Sequence, residues 1–270
     1  MSFLLLLPTF AAEPAHAGGV GDGAGMHRNE VVIPWSALAF QAARTESPAV
    51  GPDLLAVGTR ARVAMYDAVD DSVTIVGAPV APFSVGHADG LAVSNAGQVV
   101  VLDDSAREVR VYAADGGRVS AMGLPGVVPA DGTLAIDGQT LLSVDIFGNG
   151  HRIATLSVSG ELGKTTGPAM QVPTHDIRRS GGTISVDGRE VATRTGRVGA
   201  RSLGRWLLVE AMDEGTVTRD AILLSDGTTV SVPVRGRMYA PRLDIASAGD
   251  GTLAWMDPRD DGLHVVTVTP

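Results

Sequence analysis

Aspartates recur along the chain in two series that run in step. Members of the first series stand just before an apolar run, and members of the second end the next run, 13 or 14 residues later. The first series is Asp53, Asp89, Asp131 and Asp244, and the second is Asp67, Asp103, Asp145 and Asp257. Carboxylate oxygens that converge from several repeats are ligands that Ca²⁺ takes, so one hypothesis is a calcium site formed by the first series. The alternative is that each aspartate caps backbone amides of its own turn and recurs because the unit is duplicated.

Two histidines accompany this pattern. His87 stands two residues before Asp89, and His175 directly precedes Asp176. A histidine beside a carboxylate can act as a general base or a metal ligand, whereas a lone loop histidine is more often simply solvated. The predicted binding residues are therefore His87, Asp89, Asp131, His175, Asp176 and Asp244. No HExxH motif or closely spaced histidine pair is present, which argues against a zinc hydrolase.

The segments that carry the aspartates repeat one another. Four copies are clear: PDLLAVGTRARVAMYD, ADGLAVSNAGQVVVLD, ADGTLAIDGQTLLSVD and LDIASAGDGTLAWMD. Looser copies begin at Asp176 and Arg201, which makes six starts. Short apolar runs alternate with Gly, Asp and Pro turns, and no long window beyond residue 30 has helical periodicity, so nearly all of it is predicted to be strand.

The spacing of the repeats predicts the architecture. The first four starts lie 36 to 45 residues apart, which is the period of a four-stranded β-propeller blade. The expected fold is therefore an all-β propeller of about six four-stranded blades. From Asp244 onward only 27 residues remain, enough for three strands, while the segment EVVIPWSALAF (30–40) is an unassigned strand. We expect this N-terminal strand to complete the last blade and so remove both exposed edges.

One repeat is similar to a known family. Residues 90–123, GLAVSNAGQVVVLDDSAREVRVYAADGGRVSAMG, resemble a blade of the NHL-type β-propellers, with a turn at Gly97, an apolar strand that ends in Asp103 and a closing strand before Asp115. The resemblance is partial for the blades that begin near residues 53, 131 and 244. It implies a propeller but no single activity, because that family contains binding modules and scaffolds as well as some enzymes.

Composition narrows the range of partners and chemistry. The net charge is −9, and Lys164 is the only lysine among 21 basic residues. Nucleic acid is not an expected partner, because phosphate backbones favour clustered positive charge; a local patch at Arg178, Arg179 and Arg189 is the one exception in the sequence. The chain contains no cysteine, so disulfides, thiolate metal sites and cysteine catalysis are excluded. No apolar stretch is long enough to predict a transmembrane segment.

The N-terminus predicts export. Residues 3–7 read FLLLL, small residues follow, and Ala15-His16-Ala17 is an A-x-A cleavage signal. The predicted organisation is a signal peptide at 1–17, a Gly-rich linker at 18–29 and a single propeller domain at 30–270. The expected location is the exterior, the periplasm or the cell envelope; the alternative is an apolar N-terminus of a cytoplasmic protein.

Two functional hypotheses follow. The first is a secreted or envelope-associated, non-catalytic binding or scaffolding module for a protein or carbohydrate partner, because no complete catalytic constellation is present. The second is a metal-assisted hydrolase or lyase, in which the aspartates around the central channel hold the metal and His87 or His175 acts as acid or base.

Overall fold

The computed structural model describes residues 25–38, 51–124, 133–137, 140–144, 149–164, 170–171, 175–234 and 241–270. Within these ranges the regular structure is β-strand, apart from one 3₁₀ turn at Trp35–Ala37. No helix in the same ranges has the length and apolar character needed to span a membrane. The strands form six antiparallel sheets, numbered here in chain order.

Sheets 1 and 2 each contain four consecutive strands. Sheet 1 consists of β2 (Pro52–Gly58), β3 (Arg62–Asp67), β4 (Ser72–Ile75) and β5 (Phe83–Ser84). Sheet 2 consists of β6 (Gly90–Val93), β7 (Val99–Asp103), β8 (Glu108–Tyr112) and β9 (Arg118–Gly123).

Sheets 3 to 5 follow with less regular strands. Sheet 3 consists of β10 (Thr133–Asp137), β11 (Thr140–Val144), β12 (Asn149–Leu156) and β13 (Leu162–Lys164), and β14 (Met170–Gln171) also pairs with β12. Sheet 4 has three strands, β15 (Ile177–Ser180), β16 (Thr183–Val186) and β17 (Arg189–Thr193). Sheet 5 consists of β18 (Arg197–Leu203), β19 (Trp206–Asp213), β20 (Thr216–Leu223) and β21 (Thr229–Ser231).

The N-terminal strand completes sheet 6. This sheet consists of β22 (Ile245–Ser247), β23 (Leu253–Arg259), β24 (Gly262–Thr269) and β1 (His27–Ile33). Strand β1 pairs with β24 along its whole length, from His27 opposite Thr269 to Ile33 opposite Leu263. The strand predicted at 30–40 is confirmed over residues 30–33, and a 3₁₀ turn follows at Trp35–Ala37. The strand begins inside the segment assigned to the linker, because residues 27–29 already belong to it.

Strands buried on both faces explain why the sequence reads as apolar runs. In β7, Val99 and Val101 pack into the core between sheets 1 and 2, whereas Val100 and Leu102 pack into the core between sheets 2 and 3. A strand covered on both sides is continuously apolar rather than alternating. Similar apolar clusters join sheet 4 to sheet 5 and sheet 5 to sheet 6.

The last sheet also packs on the first. Leu55 and Met65 of sheet 1 share a buried cluster with Met256 and Val265 of sheet 6. The backbone N–H of Leu55 donates to the carbonyl oxygen of Leu243 at 3.0 Å, and Leu243 pairs with Leu54 in a parallel bridge. Sheet 6, which contains strands from both ends of the described chain, therefore packs on sheet 1, and the fold is the predicted all-β propeller.

Sheet 4 departs from the regular pattern. Only three residues separate β17 from β18, and within this link Arg194 donates its backbone N–H to Gly182, in the turn between β15 and β16, at 2.9 Å. The next residue, Thr195, donates its hydroxyl to Asp213 at the end of β19. The β15–β16 turn thus lies where β18 begins. Because three strands are described in sheet 4, the chain leaves this sheet at the end opposite to the one where β15 begins. The first strand of sheet 4, β15, therefore runs in the opposite direction to β18, the first strand of sheet 5.

Candidate functional site

Three sheets meet at Arg242, which lies just before the inner strand of sheet 6. Its backbone N–H donates to Asp53 Oδ1 at 2.8 Å, and its Nε donates to Asp53 Oδ2. Its Nη2 donates to the carbonyl oxygen of Ala88, just before sheet 2, at 2.8 Å. Its Nη1 lies 3.6 Å from Asp89 Oδ1. Despite these contacts 47% of the Arg242 side chain is exposed.

His87, Asp89 and Asp104 complete this group. His87 Nε2 lies 3.0 Å from Asp89 Oδ1, and 52% of the imidazole is exposed. Asp89 Oδ2 accepts the backbone N–H of Asp104 at 3.0 Å. We refer to Asp53, His87, Asp89, Asp104 and Arg242 as the Arg242 cluster. The structure thus brings together three residues that the sequence predicts as functional, Asp53, His87 and Asp89.

The carboxyl groups of this cluster influence each other's protonation. Burial acts to raise the pKa of Asp89, but hydrogen bonds from Asp104 and His87 outweigh burial and hold that pKa below its ordinary value. The pKa of Asp104 is raised, first because its carboxyl group shares a hydrogen bond with Asp89. Three carboxyl groups therefore lie around one guanidinium and one exposed imidazole, and the cluster has an excess of negative charge at neutral pH.

A buried tyrosine positions the loop that carries His87 and Asp89. Tyr66, on the second strand of sheet 1, is fully buried. Its hydroxyl donates to Asp71 Oδ1 at 2.6 Å and accepts the backbone N–H of Ala88 at 3.3 Å. Burial, followed by the hydrogen bond to Asp71, raises the pKa of this phenol. The loop into sheet 2 is thereby fixed to sheet 1.

Asp244 lies elsewhere and has a buried partner. Its Oδ1 accepts from Arg219 Nη2 at 3.0 Å, and its Oδ2 accepts from Arg219 Nη1. The exposed fractions of the two side chains are 5% and 2%. Arg219 also donates to the carbonyl oxygen of Pro233 at 3.3 Å and lies 3.0 Å from Glu210. This aspartate joins sheet 6 to sheet 5.

His175 and Asp176 form a separate exposed group. His175 Nδ1 lies 2.7 Å from Asp187 Oδ2, and Asp176 forms an ion pair with Arg178 at 2.8 Å. The hydrogen bond with His175 lowers the pKa of Asp187. Because sheet 4 is reversed, the start of β15 lies at the opposite end of the sheets from Asp53 and Asp89. The structure therefore does not bring these two residues to the Arg242 cluster.

Two aspartates of the second series, Asp67 and Asp103, cap turns. Asp67 Oδ1 accepts the backbone N–H of Val69 at 2.9 Å, and Asp103 Oδ1 accepts the backbone N–H of Ala106 at 2.8 Å. Asp103 Oδ2 also accepts from the buried Arg110 guanidinium. These contacts agree with the capping interpretation of the repeated aspartates.

Metal binding stays a prediction. In the part of the chain that the structure describes, no three His, Asp or Glu side chains are grouped so that they could hold a metal ion. Asp131 and Asp145 lie outside the described residues.

Sequence reasoning did not identify Arg242. It belongs to the segment PRLD (241–244). An arginine two residues before the start of a repeat occurs at none of the other five starts, and this difference could have pointed to Arg242. The partner, Asp53, is 189 residues away in sequence. The packing of sheet 6 on sheet 1 brings the two together.

The comparisons with known proteins agree on no single family. No protein-family profile matches the sequence, and no curated protein matches it. Among solved structures, an exported-protein candidate of Bacteroides fragilis aligns over 86% of this chain and 94% of its own, at 12% identity and a TM-score of 0.39. BamB of Moraxella catarrhalis aligns over 90% and 98%, at 10% identity and a TM-score of 0.35. Virginiamycin B lyase of Staphylococcus aureus aligns over 91% and 99%, at 11% identity and a TM-score of 0.37. Likenesses this distant assign no activity to the chain.

Proposed function

We propose that this chain is a non-catalytic binding module of the cell envelope or exterior, and that the Arg242 cluster is its recognition site. The observation that carries the proposal is the convergence of polar groups from three sheets on Arg242, of which Arg242 and His87 are about half exposed. Hydrogen bonds within the cluster hold these side chains in place, so little side-chain freedom is lost when a ligand binds. The signal peptide predicted at residues 1–17 supports the location.

The charge of the cluster indicates the class of ligand. Asp53, Asp89 and Asp104 outnumber the single guanidinium, and the whole chain carries −9. A surface that carries charge of one sign concentrates ligands of the opposite charge near it. The partner is therefore proposed to be a protein that presents a lysine or arginine side chain to the cluster.

Calorimetric titration of the full chain tests this proposal. Two synthetic peptides of equal length serve as probes, one rich in lysine and one rich in glutamate. We expect the basic peptide to bind, and Asp53→Asn or Asp89→Asn to weaken binding by roughly tenfold, as for a lost charged hydrogen bond. Asp176→Asn is the matched control, because it removes an exposed carboxylate at the other end of the sheets.

Two outcomes would contradict the proposed site. One is equal binding of the acidic and basic peptides. The other is a loss of binding in Asp176→Asn that matches the loss in Asp89→Asn. Thermal melting of each variant verifies that the fold is retained. The location is tested separately by N-terminal sequencing of the protein recovered from the source cells, where export predicts a chain that begins at Gly18.

One observation favours the enzymatic alternative. If His87 Nε2 donates to Asp89, the exposed Nδ1 is left to accept a proton from a bound molecule. A metal-assisted hydrolase or lyase would then use His87 as its base. This alternative requires a bound metal, and a turnover that survives both Asp89→Ala and Asp131→Ala would exclude it.

A further inference from the structure

His264 fastens the N-terminal strand to the rest of sheet 6. It lies on β24 and is 4% exposed. Its Nδ1 pairs with Glu30 Oε1 on β1, and its Nε2 lies 2.8 Å from Asp261 Oδ1 in the turn before β24. The imidazole therefore connects a strand from the start of the chain to a turn near its end.

Only the charged imidazole satisfies both contacts. A neutral histidine has one N–H and one lone pair, whereas the imidazolium has two N–H donors. Ionised carboxylates are acceptors only. When His264 is neutral, one ring nitrogen therefore directs its lone pair at the carboxylate of Glu30 or of Asp261, and an attraction becomes a repulsion.

Other charged groups surround this pair. Arg259 on β23 forms ion pairs with Glu30 at 3.0 Å and with Asp257 at 2.7 Å. Asp257 is also the cross-strand neighbour of His264. From β1, Arg28 lies 3.9 Å from Glu30.

These groups set the protonation of His264. Burial acts to lower the pKa of His264, but the hydrogen bonds with Asp261 and Glu30 outweigh it and raise that pKa above its ordinary value. Burial acts to raise the pKa of Glu30, but the contacts with His264 and the arginines lower it. The hydrogen bond with His264 lowers the pKa of Asp261.

Apart from these charged groups, strand β1 is held by its pairing with β24 and by Arg28, which lies over the Trp255 ring at 5.7 Å from the ring centroid. In the described residues it is the outermost strand of sheet 6 and pairs only with β24. Its residues His27, Arg28 and Asn29 are exposed, and Val32 is also exposed. Ile33 packs against the core between sheets 6 and 1. Segments with little buried apolar surface open locally at low cost.

We propose that β1 is a pH-sensitive latch, docked while His264 bridges Glu30 and Asp261 as an imidazolium and released first when that proton is lost. The contribution of His264 is fully present below pH 6.5 and is lost as the pH rises through its raised folded-state pKa. The contributions of Glu30 and Asp261 are lost as the pH falls through their lowered folded-state values. Docking is therefore strongest in weakly acidic solution and weakens above neutrality.

Limited trypsin digestion of the full chain measures the latch. Arg28 is a cleavage site on β1, and Arg118, on the outer strand of sheet 2, is a reference site in the same molecule. The ratio of the two cleavage rates cancels the pH dependence of trypsin itself. We expect this ratio to rise several-fold between weakly acidic and weakly alkaline pH, because the proton that lets His264 bridge Glu30 and Asp261 is lost over that range.

Variants separate the latch from a merely structural histidine. His264→Gln should give a high ratio that no longer depends on pH. Glu30→Gln should also remove the dependence, because the amide donates to a neutral imidazole, and it should keep the ratio low. His175→Gln is the control and should behave like the wild type. The proposal fails if the wild-type ratio is constant, if His264→Gln keeps the dependence, or if both sites become susceptible together, which would indicate global unfolding.

Discussion

Asp244 and Arg219 form a buried, bidentate ion pair. It joins the start of β22 in sheet 6 to β20, the third strand of sheet 5. Both charged groups are removed from solvent, so their cost of desolvation is balanced only while they remain together. The corresponding carboxylates of the first two repeats, Asp53 and Asp89, are less buried, at 18% and 15% exposed, and contact Arg242 instead. Duplicated positions have therefore acquired different roles within one fold.

Removal of Asp244 should destabilise the protein strongly. Asp244→Ala removes the bidentate partner of the buried Arg219 guanidinium and leaves only the half-exposed Glu210 as a counter-charge, which costs about 3 kcal/mol. Urea denaturation followed by tryptophan fluorescence measures the change. The double variant Asp244→Leu with Arg219→Met should recover most of the loss, because it removes both charges. Asp176→Ala, in the exposed pair with Arg178, should stay close to the wild type; an equal loss there would contradict this explanation.

Two glycines beside β17, one in the turn before it and one in the link after it, should respond differently to substitution by alanine. Gly196 and Gly188 both have positive φ angles, 76° and 80°, so alanine at either costs roughly 1 kcal/mol in backbone strain. A Cβ on Gly196 would overlap the carbonyl oxygen of Met212, whereas nothing lies within 4 Å of a Cβ on Gly188. We expect Gly196→Ala to melt clearly below Gly188→Ala. Equal melting temperatures would mean that the link between sheets 4 and 5 relaxes freely.

Tyr66 should affect both stability and ligand binding. Tyr66→Phe leaves the Ala88 N–H and the Asp71 carboxylate without a hydroxyl partner, at a cost of about 1–3 kcal/mol. The loop that carries His87 and Asp89 then loses its attachment to sheet 1, so binding of the basic peptide should weaken as well. Trp206→Phe is the control, since Trp206 is also fully buried and donates a hydrogen bond, but to the carbonyl oxygen of Gly251, outside that loop. A binding loss in the control equal to that of Tyr66→Phe would refute the positioning role.

The repeat itself is what made the fold predictable. Apolar runs of fixed length between aspartate and glycine turns predict the strands, and the shortage of residues after Asp244 predicts the closing strand, which the pairing of β1 with β24 confirms. The four clear repeats became sheets 1, 2, 3 and 6. Between the starts at residues 176 and 201 the repeat is shorter, and too few residues are available for a fourth strand. Sheet 4 therefore has three described strands, and its first strand runs in the opposite direction to that of sheet 5.

The site was only partly predictable because its partners are distant in sequence. His87 and Asp89 are neighbours, so their contact follows from local spacing. The contact of Arg242 with Asp53 depends on the packing of sheet 6 on sheet 1. The contact of His264 with Glu30 depends on the register of β1 against β24. Asp244 and Asp53 occupy equivalent positions in the repeat. Asp244 is buried because it pairs with Arg219, which belongs to a different repeat.

Calcium should leave the stability of the protein unchanged if the repeated aspartates are turn caps. Asp53 and Asp89 already accept hydrogen bonds from Arg242 and Asp104, and Asp244 is committed to Arg219, so a cation would have to displace these donors. We expect the melting temperature to be the same with added calcium and with a chelator. A bound ion stabilises the native state in proportion to the logarithm of its concentration over Kd. A rise of several degrees with calcium, lost in Asp53→Asn, would instead identify a metal site and favour the enzymatic alternative.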